Sequence, residues 1–285
     1  MVLKPKAIFL DMDGTILNHQ NKVRIQTKEI IDALRNQGIY VILATGRDAD
    51  EIERLVPKGF QVDGLITSNG ATGYVGKKVI FKHSLSLRLV ETIINKAREN
   101  KVYYELYPYG ASRVILKQDQ QYVLNEVKEP KPNSVGMNEW LSRKHSIKEE
   151  IAWMDKIEGN EFSKFYFFAR TKKQINSWKN ELDKIKQVMD FTTSSSTEHN
   201  VELMAANVNK ATGIKQMLQH FSLSGGETLA IGDSDNDLPM LQFVSYAVAM
   251  KNAPEHIKEI ADDVTEFTCD EDGVYHYLKS KVLSL

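Results

Sequence analysis

The chain has 285 residues, of which 42% are hydrophobic and 26% charged, enough for a substantial core and for two domains. Its 37 Lys and Arg residues against 38 Asp and Glu residues leave a formal charge of −1, so we expect no nucleic-acid partner. The single cysteine excludes an internal disulfide. The apolar run at residues 7–10 is too short for a signal peptide, and no run approaches the length of a membrane span. We therefore expect a cytoplasmic protein without membrane contact.

The first 82 residues alternate between apolar strands and amphipathic helices. The pattern predicts strands at 7–10, 39–44 and 62–67, helices at 26–37 and 49–56, and a hairpin at 72–82 that turns at Gly76. The strands lack the alternation of apolar and polar residues that is expected when one face of a sheet is exposed to solvent. They are typical of a buried parallel sheet.

The pattern of apolar and polar residues changes after His83. A helix is predicted at 86–99, followed by strands at 101–107, 112–117 and 162–169 in which polar and apolar residues alternate. This alternation is typical of an antiparallel sheet with one wet face. Thr171 is predicted to cap a helix that runs to about residue 185, and we interpret the Ser/Thr run at 192–197 as the return to the first domain.

From residue 200 the alternation of strands and helices resumes. Strands are predicted at 201–204, 228–231, 247–250 and near 264, and helices at 210–221, 237–243 and 254–261. The sequence thus predicts an α/β core, formed by residues 1–82 and 191–285, that carries an inserted α+β domain at 83–190.

Polar residues follow three of the predicted core strands. Asp11 and Asp13 follow the first strand, Thr45-Gly46-Arg47 follows the second, and a run from Asp233 to Asp237 follows strand 228–231. Because open parallel sheets bind ligands at the carboxyl ends of their strands, these residues are predicted to converge on one crevice. The sequence contains neither a His-Glu-x-x-His nor a Gly-x-Ser-x-Gly motif, so zinc peptidase and serine hydrolase chemistry have little support.

These motifs resemble those of the haloacid dehalogenase superfamily of aspartate-dependent phosphatases, specifically its Cof-like sugar-phosphatase group. The matching segments are, in order, Asp11-Met12-Asp13-Gly14-Thr15, Thr45-Gly46-Arg47, Lys210 and Gly232-Asp233-Ser234-Asp235-Asn236-Asp237, together with Ser68-Asn69-Gly70 after the third strand. The resemblance covers the whole chain. It implies a Rossmann-like three-layer α/β core with a mostly parallel sheet, and an inserted α+β cap domain that determines substrate specificity.

Hydrolysis of a phosphate monoester is among the slowest uncatalysed reactions, and general acid–base catalysis supplies only about 10²–10⁴ of the acceleration it needs. The remainder requires a positioned nucleophile, a hard divalent cation and fixed donors. The resemblance implies that Asp11 is the nucleophile and forms a phosphoaspartyl intermediate. Asp13 is expected to protonate the leaving oxygen and then to accept a proton from the attacking water.

The remaining site residues are expected to bind metal or substrate. Mg²⁺ is expected on Asp11, the Asp13 backbone carbonyl and Asp233, with Asp237 nearby to orient the ligands. The residues expected to hold phosphoryl oxygens are Thr45, Gly46, Asn236 and Lys210, the last of which also serves catalysis. Asn69 and Arg47 are candidate substrate contacts, and a structural salt bridge is an equally good interpretation of Arg47.

The resulting hypothesis is a Mg²⁺-dependent phosphatase that acts on small phosphorylated metabolites. The resemblance favours sugar phosphates, with flavin mononucleotide and pyridoxal phosphate as alternatives, and no obligate protein partner is expected. Two rival functions stay open at this point. One is a sugar phosphomutase of the same superfamily, and the other is a non-catalytic sensor of a phosphorylated metabolite.

Overall fold

The computed structural model describes residues 4–283. The chain forms two compact units, the first made of Met1–Lys82 with Val208–Leu285 and the second of His83–Asn207. Residues 1–3, 284 and 285, which the sequence analysis assigned to the core, lie outside the described residues. None of the helices described within residues 4–283 has both the length and the apolar character that a membrane crossing requires.

The elements follow one another in the order predicted for an α/β chain with an insertion. The amino-terminal part of the first unit contains β1 (Ala7–Leu10), α1 (Ile25–Asn36), β2 (Tyr40–Ala44), α2 (Ala49–Leu55), β3 (Gly64–Thr67), β4 (Thr72–Val75) and β5 (Lys78–Lys82). The second unit contains α3 (Leu87–Glu99), β6 (Tyr103–Pro108), β7 (Arg113–Leu116), α4 (Gln120–Glu126), α5 (Met137–His145), β8 (Ile151–Met154), β9 (Phe162–Phe168), α6 (Lys172–Ile185), β10 (Phe191–Ser194) and β11 (Asn200–Ala205). The chain then returns to the first unit with α7 (Lys210–His220), β12 (Thr228–Gly232), α8 (Leu238–Phe243), β13 (Tyr246–Ala249), α9 (Glu255–Lys258), β14 (Asp263–Val264) and α10 (Gly273–Leu278).

The first unit is built on an eight-stranded sheet in the order β14-β13-β12-β1-β2-β3-β4-β5. The six strands from β14 to β3 are parallel, and β4 and β5 add an antiparallel hairpin at one edge. β1 therefore lies in the middle, between β2 and β12. The residues that follow these three strands emerge at the same edge of the sheet.

Helices cover both faces of this sheet, because successive side chains of a strand point in opposite directions. Ile8 and Leu10 of β1 belong to a core cluster with residues of α1 and α10. Ala7 and Phe9 belong to a second cluster with residues of α7 and α8. The first unit is thus a three-layer α/β fold, and burial on both faces explains why its strands are continuous apolar runs.

The second unit is built on a six-stranded sheet in the order β10-β11-β9-β6-β7-β8. All neighbours in it are antiparallel except β7 and β8. Thr171 accepts a hydrogen bond from the backbone N–H of Gln174 and caps α6, as the sequence predicts.

The structure corrects the predicted return to the core. Residues 191–207 were assigned to the first domain, but β10 and β11 pair with one another and β11 pairs with β9, so both belong to the second sheet. The reason is that β11 is buried from Asn200 to Met204. The strand reads Asn-Val-Glu-Leu-Met-Ala, and its Glu202 is buried because it pairs with Lys164 of β9. The local pattern therefore does not distinguish this strand from a parallel core strand.

The structure also corrects the predicted wet face of the second sheet. Every residue of β9 is buried, and the polar residues that alternate with apolar ones on β6 are buried too. Glu105, with no exposed surface, accepts hydrogen bonds from Arg113 and from Arg143 of α5. This face is therefore buried although it carries charged side chains, because buried charges are tolerated when they are paired.

Candidate active site

The loops after β1 and β12 bring Asp11 and Asp233 to one edge of the sheet. The backbone N–H of Asp11 donates to the Ile231 carbonyl at 3.0 Å, which continues the parallel pairing of β1 with β12. Gly14 adopts a left-handed φ of 76°. A Cβ on Gly14 would lie 2.2 Å from Asp233 Oδ2, so only glycine allows the first loop to approach this carboxylate so closely.

Lys210 is the first residue of α7, and two features fix its position. Asn209 caps the helix in a reciprocal arrangement with Thr212. The turn Ser68–Gly70 after β3 packs against this helix start, since a Cβ on Gly70 would lie 2.1 Å from the Asn209 carbonyl oxygen. The Ser-Asn-Gly segment thus helps to fix the start of α7, where Lys210 lies.

The Lys210 ammonium group joins two of the predicted carboxylates. It is fully buried and donates to Asp11 Oδ1 at 2.5 Å and to Asp237 Oδ1 at 2.6 Å. Burial alone lowers the pKa of Lys210, but the charges of Asp11 and Asp237 outweigh burial and raise the pKa above its usual value. Lys210 is therefore a fixed positive charge at physiological pH.

Asp237 holds the loop after β12 in place. Its Oδ2 atom accepts the backbone N–H groups of Asp233 at 2.9 Å and Ser234 at 3.0 Å, while its Oδ1 atom accepts from Lys210. Both carboxylate oxygens are occupied, and the side chain is fully buried. This arrangement suits the orienting role predicted for Asp237 better than direct metal ligation.

Asp11 carries an unsatisfied acceptor. Its Oδ2 atom is buried and has no hydrogen-bond partner within residues 4–283. Burial and the neighbouring Asp237 raise the pKa of Asp11 from 3.8 to about 7, although Lys210 acts in the opposite direction. Burial, together with the negative charges of Asp11 and Asp237, raises the pKa of Asp233 well above its usual value. The site holds more negative charge than one lysine balances.

This group of side chains fits a hard divalent cation. Asp11, Asp233 and Asp237 each offer a carboxylate oxygen within 4.8 Å of the others. Carboxylate oxygens are the ligands that Mg²⁺ prefers, so the chemistry of these donors fits such a cation. Among the described residues, the Asp13 carboxylate is not part of this group.

The Asp13 side chain instead forms an ion pair with Arg47. Arg47 Nε donates to Asp13 Oδ2 at 2.8 Å, and Nη2 donates to Oδ1 at 2.5 Å. The Arg47 guanidinium also lies 3.6 Å from Glu51 of α2. This is the salt bridge that the sequence analysis kept as the alternative role of Arg47. The Asp13 side chain is 46% exposed, so it is accessible to substrate.

The remaining predicted residues form a third group at the same edge. Thr45 follows β2 and is fully buried, and its carbonyl accepts the backbone N–H of Asn69 at 2.9 Å. Asn69 has a left-handed φ of 54°, and its side-chain oxygen accepts from Asn236 Nδ2 at 3.2 Å. Gly46 lies between Thr45 and Arg47 in this loop. The hydrogen bonds link the loops after β2, β3 and β12.

One polar residue at this edge was missed by the sequence analysis, and Thr15, which belongs to the first motif, was given no role there. Asn252, in the loop after β13, donates to the Gly14 carbonyl at 2.8 Å and lies 3.4 Å from Asp233 Oδ2. Thr15 Oγ1 lies 3.4 Å from Asp233 Oδ1. Asn252 follows a parallel strand beside β12, so the rule that located Asp233 also applies to it.

Comparisons with known proteins identify the family of this chain. The model of the haloacid dehalogenase-like hydrolase family matches residues 8–278. The phosphatase YwpJ of Bacillus subtilis (strain 168) is 29% identical over 290 residues, which cover 96% of this chain and 99% of that protein. The 5-amino-6-(5-phospho-D-ribitylamino)uracil phosphatase YwtE of the same organism is 25% identical and covers 96% of each chain. The solved structure of a haloacid dehalogenase-like hydrolase from B. subtilis is 25% identical, with a TM-score of 0.80 over 96% of this chain and 98% of that one.

The chain belongs to the haloacid dehalogenase-like hydrolases, in their Cof-like group, and is a phosphatase of the phosphoric monoester hydrolase class.

Proposed function

We propose that this protein is a Mg²⁺-dependent phosphatase that hydrolyses small phosphorylated metabolites through a phosphoaspartyl intermediate on Asp11. The observation that carries the proposal is the environment of Asp11. One of its oxygens is held by the buried Lys210 ammonium, and the other is buried without a partner in the described part of the chain. A carboxylate held at one end and unpartnered at the other is arranged as a nucleophile.

In the first half-reaction, Asp11 Oδ2 attacks phosphorus as the bond from phosphorus to the leaving oxygen breaks. Asp13 transfers its proton to that oxygen, so the leaving group departs as a neutral alcohol. In the arrangement with Arg47, both Asp13 oxygens accept hydrogen bonds. Asp13 must therefore separate from Arg47 and take up a proton before it can serve as the acid.

In the second half-reaction, Asp13 removes a proton from water as the water oxygen attacks phosphorus. The bond between Asp11 and phosphorus breaks, which releases inorganic phosphate and restores the Asp11 carboxylate. Lys210 keeps its hydrogen bond to Asp11 Oδ1 and offsets the negative charge of the transferred group. Thr45, whose Oγ1 atom accepts the backbone N–H of Arg47 at 3.1 Å, can donate its hydroxyl hydrogen to a phosphoryl oxygen.

The metal is assigned to Asp11 and Asp233, together with the Asp13 backbone carbonyl. Asp237 orients Asp233 by accepting its backbone N–H. A bound divalent cation supplies positive charge that favours the ionised carboxylates and the approach of a phosphate dianion.

The substrate class that we propose is the phosphate esters of sugars and sugar alcohols. The relative YwtE is named for a substrate that carries a phosphorylated ribityl chain. Flavin mononucleotide has the same phosphorylated chain, which keeps it among the candidates beside simple sugar phosphates and pyridoxal phosphate. Selection among these leaving groups is assigned to the second unit.

Phosphate release from a panel of sugar phosphates, sugar-alcohol phosphates, flavin mononucleotide, pyridoxal phosphate and nucleotides tests the proposal. Each compound is assayed with Mg²⁺ and with EDTA, for the wild type, Asp11→Asn and Asp235→Asn. The last variant is the matched control, because Asp235 lies in the loop after β12 but is exposed and pairs with His256 at the surface. We expect Mg²⁺-dependent release by the wild type and the control, and none by Asp11→Asn.

Other outcomes distinguish the rival functions. Full activity of Asp11→Asn contradicts the nucleophile assignment, and full activity in EDTA contradicts the metal assignment. Formation of an isomeric phosphosugar after addition of a bisphosphorylated sugar, without phosphate release, identifies a phosphomutase. Binding of panel members without turnover identifies a sensor.

A further inference from the structure

Asn252 connects three loops at the edge of the sheet where the candidate site lies. It follows β13, which pairs with β12, and β12 pairs with β1. Its side chain contacts the loop after β1 at Gly14, the loop after β12 at Asp233, and Cys269 farther along the chain. These contacts span three neighbouring strands of the first unit.

The orientation of the Asn252 amide follows from its partners. The backbone N–H of Cys269 can only donate, and it lies 3.0 Å from Asn252 Oδ1. The amide oxygen must therefore face Cys269. The NH₂ group then faces the Gly14 carbonyl at 2.8 Å and Asp233 Oδ2 at 3.4 Å, both of which are acceptors. Every polar atom of the side chain has a partner of the correct kind.

The two acceptors of Asn252 belong to segments that approach each other very closely. A Cβ on Gly14 would lie 2.2 Å from the same Oδ2 atom that Asn252 contacts. Asp11, Asp233 and Asp237 each have a carboxylate oxygen within 4.8 Å of the others, so like charges also oppose the position of Asp233. A neutral donor between the Gly14 carbonyl and the Asp233 carboxylate therefore opposes their separation.

We propose that Asn252 is a positioning residue for the divalent cation, an inference that rests on the proposed function. It holds the Asp233 carboxylate and the loop that follows Asp13 at the spacing that the cation requires. Asn252 donates its hydrogen bonds to the groups that shape the site, and loss of such a partner typically weakens metal binding about 10–100-fold.

Calorimetric titration with Mg²⁺, in the absence of substrate, tests this inference. Asn252→Leu keeps the approximate size of the side chain and removes all its hydrogen bonds. Thr265→Val is the matched control. Thr265 accepts the backbone N–H of Lys251 at 2.9 Å and so supports the same loop, but its hydrogen bonds do not reach Gly14 or Asp233. Melting temperatures in EDTA report the structural cost of each substitution.

We expect the Mg²⁺ dissociation constant to rise at least about tenfold in Asn252→Leu and to stay near the wild-type value in Thr265→Val. At saturating Mg²⁺, kcat of Asn252→Leu should approach that of the wild type. Asn252→Ala, which leaves room for water, replaces the leucine variant if that variant does not fold.

Wild-type Mg²⁺ affinity in the Asn252 variants overturns the inference and leaves the proposed function intact. Equal losses of affinity in Asn252→Leu and Thr265→Val also overturn it, because the effect then belongs to the loop as a whole. Absence of saturable Mg²⁺ binding by the wild type overturns the metal assignment of the proposed function, and this inference with it.

Discussion

Lys210 bridges two buried carboxylates, and its loss should affect both catalysis and folding. Lys210→Met leaves Asp11 and Asp237 close together without the ammonium group that bridges them. We expect kcat/KM to fall about 10²–10³-fold, as for the loss of one donor to a developing anion. Removal of one partner from a buried ion pair also typically costs about 3–5 kcal/mol of stability.

Steady-state kinetics and urea denaturation measure these two effects. Lys215→Met is the control, since Lys215 is an exposed residue of the same helix. Wild-type turnover by Lys210→Met would contradict the role of Lys210 as an electrostatic partner of Asp11.

Asp13 should matter most for substrates whose leaving group needs a proton. For a sugar phosphate, we expect Asp13→Ala to reduce kcat about 10²–10⁴-fold, the usual contribution of a general acid or base. For p-nitrophenyl phosphate, the leaving phenolate is stable without a proton, so the loss in the first half-reaction should be much smaller. Single-turnover measurements with both substrates make the comparison, and equal losses would argue against the acid role.

Sequence reasoning at the residue scale succeeded where the position along a strand determines the location of a side chain. Asp11, Thr45 and Asp233 follow neighbouring parallel strands and therefore meet at one edge. The ion pair between Asp13 and Arg47 was not predictable in the same way. It depends on how far, and in which direction, the loops after β1 and β2 extend from the sheet. The periodicity of the sequence does not specify this.

The loop after β1 depends on glycine at position 14. In Gly14→Ala, the new Cβ would lie 2.2 Å from Asp233 Oδ2, and the backbone φ of 76° is unfavourable for alanine. We expect the loop and Asp233 to move apart, so that the Mg²⁺ concentration for half-maximal activity rises by about tenfold or more. Activity measured across a Mg²⁺ series gives this value.

Gly76→Ala is the control for backbone strain in the Gly14 experiment. Gly76 also has a positive φ, of 57°, but within residues 4–283 no atom beyond its chain neighbours lies within 4 Å of the Cβ position. The Gly76→Ala variant should lose some stability without a change in the Mg²⁺ dependence of its activity. Equal Mg²⁺ dependence of Gly14→Ala and wild type would contradict the close approach to Asp233.

The buried ion pairs on the second sheet predict acid sensitivity. Burial alone raises the pKa of Glu105, but Arg143 and Arg113 outweigh burial and hold the pKa below its usual value of 4.5. A lowered pKa stabilises the fold above pH 4.5, and this stabilisation is lost as the pH falls through the folded-state value. Glu105→Gln should cost about 3–5 kcal/mol at neutral pH, because Arg143 loses its ion pair with Glu105, while Arg113 keeps its pair with Glu150.

Denaturation of wild type and Glu105→Gln from neutral pH to about pH 3 measures this effect, and the difference in stability should shrink in acid. Glu129→Gln is the control, since the Glu129 side chain is 62% exposed and its pair with Lys144 is exposed to solvent. A constant difference between wild type and Glu105→Gln at every pH would contradict the role of the ionised carboxylate.

At the scale of elements, the sequence predicted most strands of the first sheet, because apolar runs between turn signals are distinctive. It failed on the second sheet for a physical reason. The alternation of Tyr103, Glu105 and Tyr107 with apolar residues resembles a wet face, although pairing with arginines allows this face to be buried.

At the scale of the whole molecule, the alternation of strands and helices predicted a discontinuous core with an insertion. The amino-terminal limit of the insertion was visible as a change of pattern near His83. Its carboxyl-terminal limit was not, because β11 is buried like a core strand and its pairing with β9 is not visible in the local sequence. Strand pairing over a long sequence separation is not encoded in local periodicity.

The mass of the intact protein after acid quench, during turnover of a sugar phosphate or sugar-alcohol phosphate with Mg²⁺, tests the central claim most directly. We expect a fraction of the wild type to gain the mass of one phosphoryl group, and peptide analysis to locate that group on Asp11. Asp11→Asn should show no such species, and Asp235→Asn should match the wild type. Turnover with a phosphoryl group on any other residue, or with a normal phosphoenzyme in Asp11→Asn, would contradict the account.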